Sequence, residues 1–159
     1  MEEQTFSFKM KVYQKEEIPV EYLALVETAI GFKEHAYAPY SNFLVGAAVL
    51  TEGGHIVGGA NQENASYPLC MCGERVALYH CAMAHPSEKV VAVAISVKSP
   101  STEVLSPVMP CGACRQVIQE YENRFGSPIK IIIVTDDGKV WIIDTIKDIL
   151  PLGFDERFL

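Results

Sequence analysis

No apolar stretch in this sequence is long enough to cross a bilayer. The longest runs, such as VVAVAISV at 90–97, fall well short of the roughly 20 residues a spanning helix needs. The N-terminal MEEQTFSFKMKVYQKEE has neither the apolar core of a signal peptide nor the arginine-rich, acid-poor character of a transit peptide. A cytoplasmic location without a membrane partner is therefore expected. Basic charge is also scarce: 13 Lys and Arg stand against 20 Asp and Glu, a net charge of -7 and a pI near 5.1. That is the opposite of the basic face that neutralises phosphates, so no nucleic acid polymer is expected as a partner. Repeats, linkers and low-complexity tracts are absent, and 159 residues suit one domain spanning 1–159, with 1–18 as an N-terminal extension. The 5 cysteines are an odd number in a chain without an export signal, which excludes a disulfide framework and leaves reduced thiols or metal ligands.

What is present is alternation. Short apolar runs at 43–50, 55–60, 90–97, 129–135 and 140–144 are each bounded by Gly, Pro or Asp, as buried strands are. Segments 72–84 and 111–124 between them read as helices, and a last short helix is expected at 145–150. Near the start, TFSFKMKV at 5–12 places Phe6, Phe8, Met10 and Val12 on one face, which predicts a short edge strand. After Pro19, EYLALVETAIGFKEHA has helical spacing through Leu23, Val26 and Ile30 and should stop near APYSN. The order predicts an α/β protein, a three-layer α/β/α sandwich: a mixed sheet of about five strands with helices on both faces, plus the N-terminal strand.

The chemistry begins at PCGACRQV, residues 110–117. Cys111 and Cys114 lie three apart at a helix start, so both sulfurs project from one face, and Pro110 suits the opening turn. A C-x-x-C pair alone serves redox exchange or a metal equally well. The stretch YPLCMCGERV at 67–76 decides for metal. Its Cys72 begins another helix 39 residues upstream of Cys111, and two helix starts emerging from neighbouring strands can meet at one sheet edge. Three thiolates there suit a tetrahedral Zn²⁺ whose fourth position is open, as in catalytic rather than structural zinc. A dication with three thiolates carries an excess negative charge. Two helix dipoles, Arg75 and Arg115 can offset it. Glu74, two residues from a ligand, can reach the open position without filling it and exchange protons there. Glutamate also suits a first helical turn through the dipole alone; the neighbouring thiolates favour the chemical reading.

C-G-E-R followed by P-C-G-A-C-R-Q resembles the zinc signature of the cytidine deaminases. The likeness extends to YAPYSNFLVGAAVL at 37–50, NQENASYP at 61–68 and ILPLGF at 149–154, most of the chain from about residue 20 onward. The resemblance implies a cytidine deaminase-like fold, one Zn²⁺ per chain on Cys72, Cys111 and Cys114, and hydrolytic deamination of a small nucleoside substrate, cytidine or deoxycytidine, to the uridine with release of ammonia. It further implies that Glu74 deprotonates the water and returns the proton to N3 and the departing amine. By position, Asn61 and Glu63 would bind the ribose hydroxyls, Phe43 would pack against the base, and the N–H of Gly73 would meet the base carbonyl. Arg75 would stand behind the metal ligands. Phe154 matches an aromatic that covers a neighbouring site, which implies a homotetramer with shared active sites.

Three positions depart from the family, which usually has Ala at Gly73, Thr at Val76, and Ser or Thr at Met109. Glycine at 73 costs at most about 1 kcal/mol of helix propensity. Met109 keeps a carbonyl for the leaving amine but offers no hydroxyl. Two other readings share the motif. A blasticidin-type heterocycle deaminase would use the zinc but would not need NQENASY. A structural module would close the site with Cys70 as a fourth thiolate, although Cys70 precedes the helix and should diverge from Cys72. His80, eight residues along the helix and about 12 Å away, is too far to share the metal. His35, His55 and His85 have no spaced partners and read as surface or core histidines, and Cys81 reads as a small buried hydrophobe.

Overall fold

The five apolar runs pair into a single mixed sheet, to which the N-terminal segment adds a sixth, edge strand. The computed structural model describes residues 1–159, with β1 Lys11–Gln14, β2 Leu44–Thr51, β3 Ile56–Ala60, β4 Val90–Lys98, β5 Lys130–Val134 and β6 Lys139–Ile143. The strand order is β1-β6-β5-β4-β2-β3, with β4 and β5 parallel and every other pair antiparallel. Three helices cover it: α1 Leu23–Phe32, α2 Gly73–Ala84 and α3 Gly112–Phe125. No helix is long and apolar enough to cross a membrane.

The pleat sorts the strand residues between two cores. Ala47 and Val49, Val93 and Ile95, and Ile131 and Ile133 face α2 and α3. Their neighbours Ala48, Ala92, Ala94 and Ile132 face Leu25, Val26 and Ala29 of α1. The helices sit unusually close. A side-chain carbon at Gly46 would lie 2.1 Å from the Ala29 carbonyl oxygen, and one at Gly59 would lie 2.4 Å from the Ala77 nitrogen. Glycine at these two positions is what allows the backbones to approach. The result is the three-layer α/β/α sandwich expected from the sequence.

Two expectations shift. The N-terminal strand is Lys11–Gln14 rather than 5–12, because its partner β6 spans only Lys139–Ile143 and residues before Lys11 have little left to pair with. Phe6, Phe8 and Met10 precede the strand and are exposed, as is Val12 within it, whereas Tyr13 packs on the α1 core. The last helix is a single 3-10 turn, Ile146–Asp148, capped by the Thr145 side chain, which accepts from the Lys147 N–H.

Topology places the site. β3 and β4 both run antiparallel to β2, so they run parallel to each other and end at the same sheet edge. α2 follows β3 and α3 follows β4, so both helices start at that edge. The two strands are not neighbours, as the sequence reading had them: β2 lies between, and its own start brings Phe43 and Val45 to the same edge.

Candidate active site

Cys72 and Cys111 occupy the N-cap positions of α2 and α3, in extended backbone, and neither side chain is used in capping. Their sulfurs are thus free to turn toward each other. Cys72 Sγ lies 3.7 Å from Cys111 Sγ, and Cys111 Sγ lies 3.5 Å from Cys114 Sγ, one helical turn further and fully buried. These separations match the roughly 3.8 Å edge of a tetrahedron with zinc–sulfur bonds of about 2.3 Å. The donor set therefore fits one zinc ion. Three thiols this close cannot all ionise without a cation among them. Hydrogen bonding with Cys114 draws the Cys72 thiol down to about 5, helped by Arg75, and the same contact with Cys72 pushes Cys114 up.

Cys70 stands apart from the group. Its sulfur accepts from the Asn64 N–H at 3.2 Å and faces the Asn64 carbonyl at 3.5 Å. The divergence from Cys72 follows from the backbone: Cys70 ends the 3-10 turn Tyr67–Leu69, three residues before α2 begins.

Arg75 approaches the cluster, with Nη2 at 3.8 Å from Cys72 Sγ and 3.5 Å from the Cys70 carbonyl. Arg115 does not join it, contrary to its expected share in offsetting the thiolates. Its Nε donates to the Pro110 carbonyl and its Nη1 to the Ile149 carbonyl, both at 2.8 Å, because these loop carbonyls have no ladder partner. Glu74, in the first turn of α2, is 4% exposed. Burial pushes its carboxyl above the usual range, and the adjacent Cys72 charge adds to this.

These groups open on a cavity of about 400 Å³ lined by Phe43, Asn61, Glu63, Cys72, Glu74 and Met109, among others. The size suits a small molecule. Ten of its 15 lining residues are hydrophobic, so its few polar groups stand out. Glu63 accepts from the Tyr40 N–H at 2.9 Å and the Ser41 N–H at 3.3 Å, and also from the Ser41 hydroxyl. The Ser41 hydroxyl holds its carboxyl below the usual range. Asn61 spends its amide on the wall: Oδ1 accepts from Val45 N–H at 2.8 Å, and Nδ2 donates to the Phe43 carbonyl at 2.9 Å. Gly73 seats α2 against β2, where a side-chain carbon would lie 3.1 Å from the Val45 carbonyl oxygen. Phe154 is outside this chain's cavity; it is exposed, stacked on Phe158, while its carbonyl accepts from Gln116 and Gln119.

Ser41 and Val45 are site residues the sequence did not disclose. Ser41 ties Glu63 to the turn before β2, a contact across 22 residues, and its only signal was the turn-forming PYSN. His55 and His85, which read as unpartnered, stack on each other at 4.0 Å at the far end of α2. His35 and His80 are exposed, and Cys81 is buried as expected.

A three-thiolate centre at paired helix starts, with a buried carboxylate beside it, defines a zinc-binding region of the deaminase kind. The family model for the cytidine and deoxycytidylate deaminase zinc-binding region matches residues 20–125. The chain belongs to that family. It is 41% identical over 130 residues to a cytidine deaminase of Halalkalibacterium halodurans, an alignment covering 82% of this chain and 91% of that one. The crystal structure of a cytidine deaminase from Burkholderia pseudomallei superposes with a TM-score of 0.71 at 42% identity, covering 82% of this chain and 97% of that chain. A Blasticidin-S deaminase from Bacillus cereus is more distant, 28% identical over 114 residues, or 69% of this chain and 76% of that one.

Proposed function

We propose that this chain catalyses hydrolytic deamination of cytidine and deoxycytidine, with Cys72, Cys111 and Cys114 holding one zinc ion and Glu74 carrying the protons. The observation that carries the reading is the convergence of three sulfurs, two of which (Cys72 and Cys111) line a cavity of nucleoside size together with the buried Glu74 carboxylate. Zinc at the three sulfurs supplies the Lewis acidity that makes water nucleophilic near neutral pH. Glu74 takes a proton from the water as its oxygen adds to C4 of the ring, and delivers that proton to N3. It then passes the second water proton to the amine, which leaves as ammonia while a carbonyl forms at C4. Water is consumed, ammonia is released, and no redox partner is needed.

Phe43 packs the base against the apolar wall, and the Gly73 N–H at the positive end of α2 meets the ring carbonyl. Glu63, presented by Ser41 and the 40–41 backbone, takes the ribose hydroxyls. Asn61 assists there and fixes Phe43 and Val45 through its amide. Arg75 offsets the thiolate charge from beside Cys72. A heterocycle deaminase of the blasticidin type would have less use for Glu63, and the greater likeness to cytidine deaminases supports the nucleoside reading. The alternative of a closed, four-thiolate structural zinc requires Cys70 in the cluster, and its sulfur is turned to Asn64. The protein would act in the cytoplasm as a homotetramer, with Phe154 completing a neighbouring site.

The test is ammonia release from cytidine with and without a chelator, repeated on Glu74→Gln. That variant should keep its zinc and its melting temperature, since the amide fills the same space without a buried charge. Its turnover should fall by at least about 10²–10⁴-fold, the usual worth of a general acid–base group. Normal turnover in Glu74→Gln would sink the assignment.

A further inference from the structure

At the opposite end of α2 from the cysteines, three side chains converge that the reaction does not use. His55 lies in the turn joining β2 to β3, His85 caps the C-terminus of α2, and Glu88 follows in the loop to β4. The His55 Nδ1 is 3.0 Å from the Glu88 carboxylate and the His85 Nδ1 is 3.7 Å from it, while the two rings stack at 4.0 Å with only 21° between their planes. All three donor atoms lie within 4.8 Å of one another.

We propose that His55, His85 and Glu88 form a second metal site, for a borderline first-row divalent cation such as zinc, nickel or cobalt. Two imidazole nitrogens and one carboxylate on one side of an ion are a recognised donor set for such cations, with open positions for water. The nitrogen-to-carboxylate spacing suits it: donors about 2.0–2.1 Å from an ion at tetrahedral angles stand roughly 3.3–3.4 Å apart, between the two distances seen to the carboxylate, and the stacked rings would turn out of parallel so that both Nδ1 lone pairs meet one ion. A hard cation such as calcium or magnesium would take more oxygens than the site offers.

Backbone contacts fix the position of each donor residue before any ion arrives. The His55 N–H donates to the Thr51 hydroxyl at 3.1 Å and its carbonyl accepts from the Thr51 N–H at 3.0 Å. The His85 N–H donates to the Cys81 carbonyl at 2.8 Å, and the Glu88 N–H donates to the His85 carbonyl at 3.2 Å. The hairpin also leaves room for the carboxylate: a side-chain carbon at Gly53 would lie 2.6 Å from a Glu88 oxygen. Lys89, the adjacent cation, is engaged by Glu52 at 3.0 Å and does not compete. An ion here would clip the β2–β3 hairpin to the end of the helix whose beginning carries Cys72 and Glu74.

The experiment uses untagged protein already carrying one zinc per chain. Cobalt is titrated in, and binding is followed by calorimetry and by the visible spectrum. One further equivalent should bind without the thiolate-to-metal absorption that a cysteine site gives, and excess cobalt should raise the melting temperature. His85→Asn and Glu88→Gln should each lose this equivalent while keeping the first zinc and cytidine turnover. Gly53→Ala, which leaves all three donors in place but crowds the carboxylate, should weaken it at least tenfold. Failure to bind a second equivalent would overturn the proposal. So would a second equivalent that survives Glu88→Gln, or one that carries thiolate absorption.

Discussion

Gly59→Ala tests whether the packing of α2 on the sheet sets the active site. The added methyl group would meet only backbone: the Ala77 nitrogen at 2.4 Å, the Gly73 carbonyl oxygen at 2.8 Å and the Ala77 Cα at 2.9 Å. None of these can rotate away as a side-chain tip could. To restore contacts of 3.4 Å, α2 must retreat by about 1 Å, the kind of overpacking that costs roughly 1–3 kcal/mol. For a chain of this size that is a fall of roughly 2–12 °C in melting temperature. Because α2 carries Cys72 at its cap and Glu74 in its first turn, the same shift moves both against the partners supplied by α3 and β2. A displacement of about 1 Å at a catalytic group can cost about 10²-fold in rate. Gly73→Ala is the matched control. There the new carbon meets Val45 at 3.1 and 3.2 Å, a conflict of a few tenths of an ångström, and the gain in helix propensity of up to about 1 kcal/mol opposes it. Urea denaturation, zinc content and kcat on cytidine should therefore show Gly59→Ala impaired in stability and turnover and Gly73→Ala close to the parent. Parental stability and kcat in Gly59→Ala would refute the packing argument. Lost stability with parental kcat at full zinc occupancy would show that the seat of α2 does not position Glu74.

The two neighbouring cysteines should separate cleanly. Cys70→Ser should retain zinc and turnover, whereas Cys72→Ser should lose both by metal analysis and ammonia release; release of zinc by Cys70→Ser would favour the closed structural site. Phe154→Ala should raise KM for cytidine without changing zinc content, if the residue serves a neighbouring site. Sedimentation of a fully active monomer would rule out sharing.

The metal set was legible because its information is local. C-x-x-C at a helix start fixes one pair of sulfurs, and Cys72 needed only a second helix start at the same edge. Strands and helices were legible for the same reason, since each apolar run was bounded by its own turn residues. What stayed hidden depends on partners far along the chain. The hold of Ser41 on Glu63 and that of Asn61 on Phe43 and Val45 span 22, 18 and 16 residues and require the finished sheet edge. The His55–Glu88 contact spans 33. At β1 the existence of an edge strand was legible and its bounds were not, because its length is set by its partner β6, which spans only Lys139–Ile143. Arg115 was misassigned on proximity alone: two unpaired carbonyls claimed it.

The excess negative charge of three thiolates, which first reads as a handicap for a Lewis acid, has a use at Glu74. A single carboxylate that must accept a proton from water and then give it to a ring nitrogen and an amine works best with its pKa near the operating pH. Burial at 4% exposure and the charge on Cys72 both raise the Glu74 carboxyl toward that range. A dication with neutral histidine ligands would pull it back down, leaving a weak base. With three thiolates a bound dication and its ligands would carry no net positive charge and so would not oppose the upward push from burial. Arg75 then balances the site from the Cys72 side, where it stabilises a thiolate. In the proposed site the ligand set would thus trade some polarising power at the metal for basicity at Glu74, and the proposed chemistry needs both.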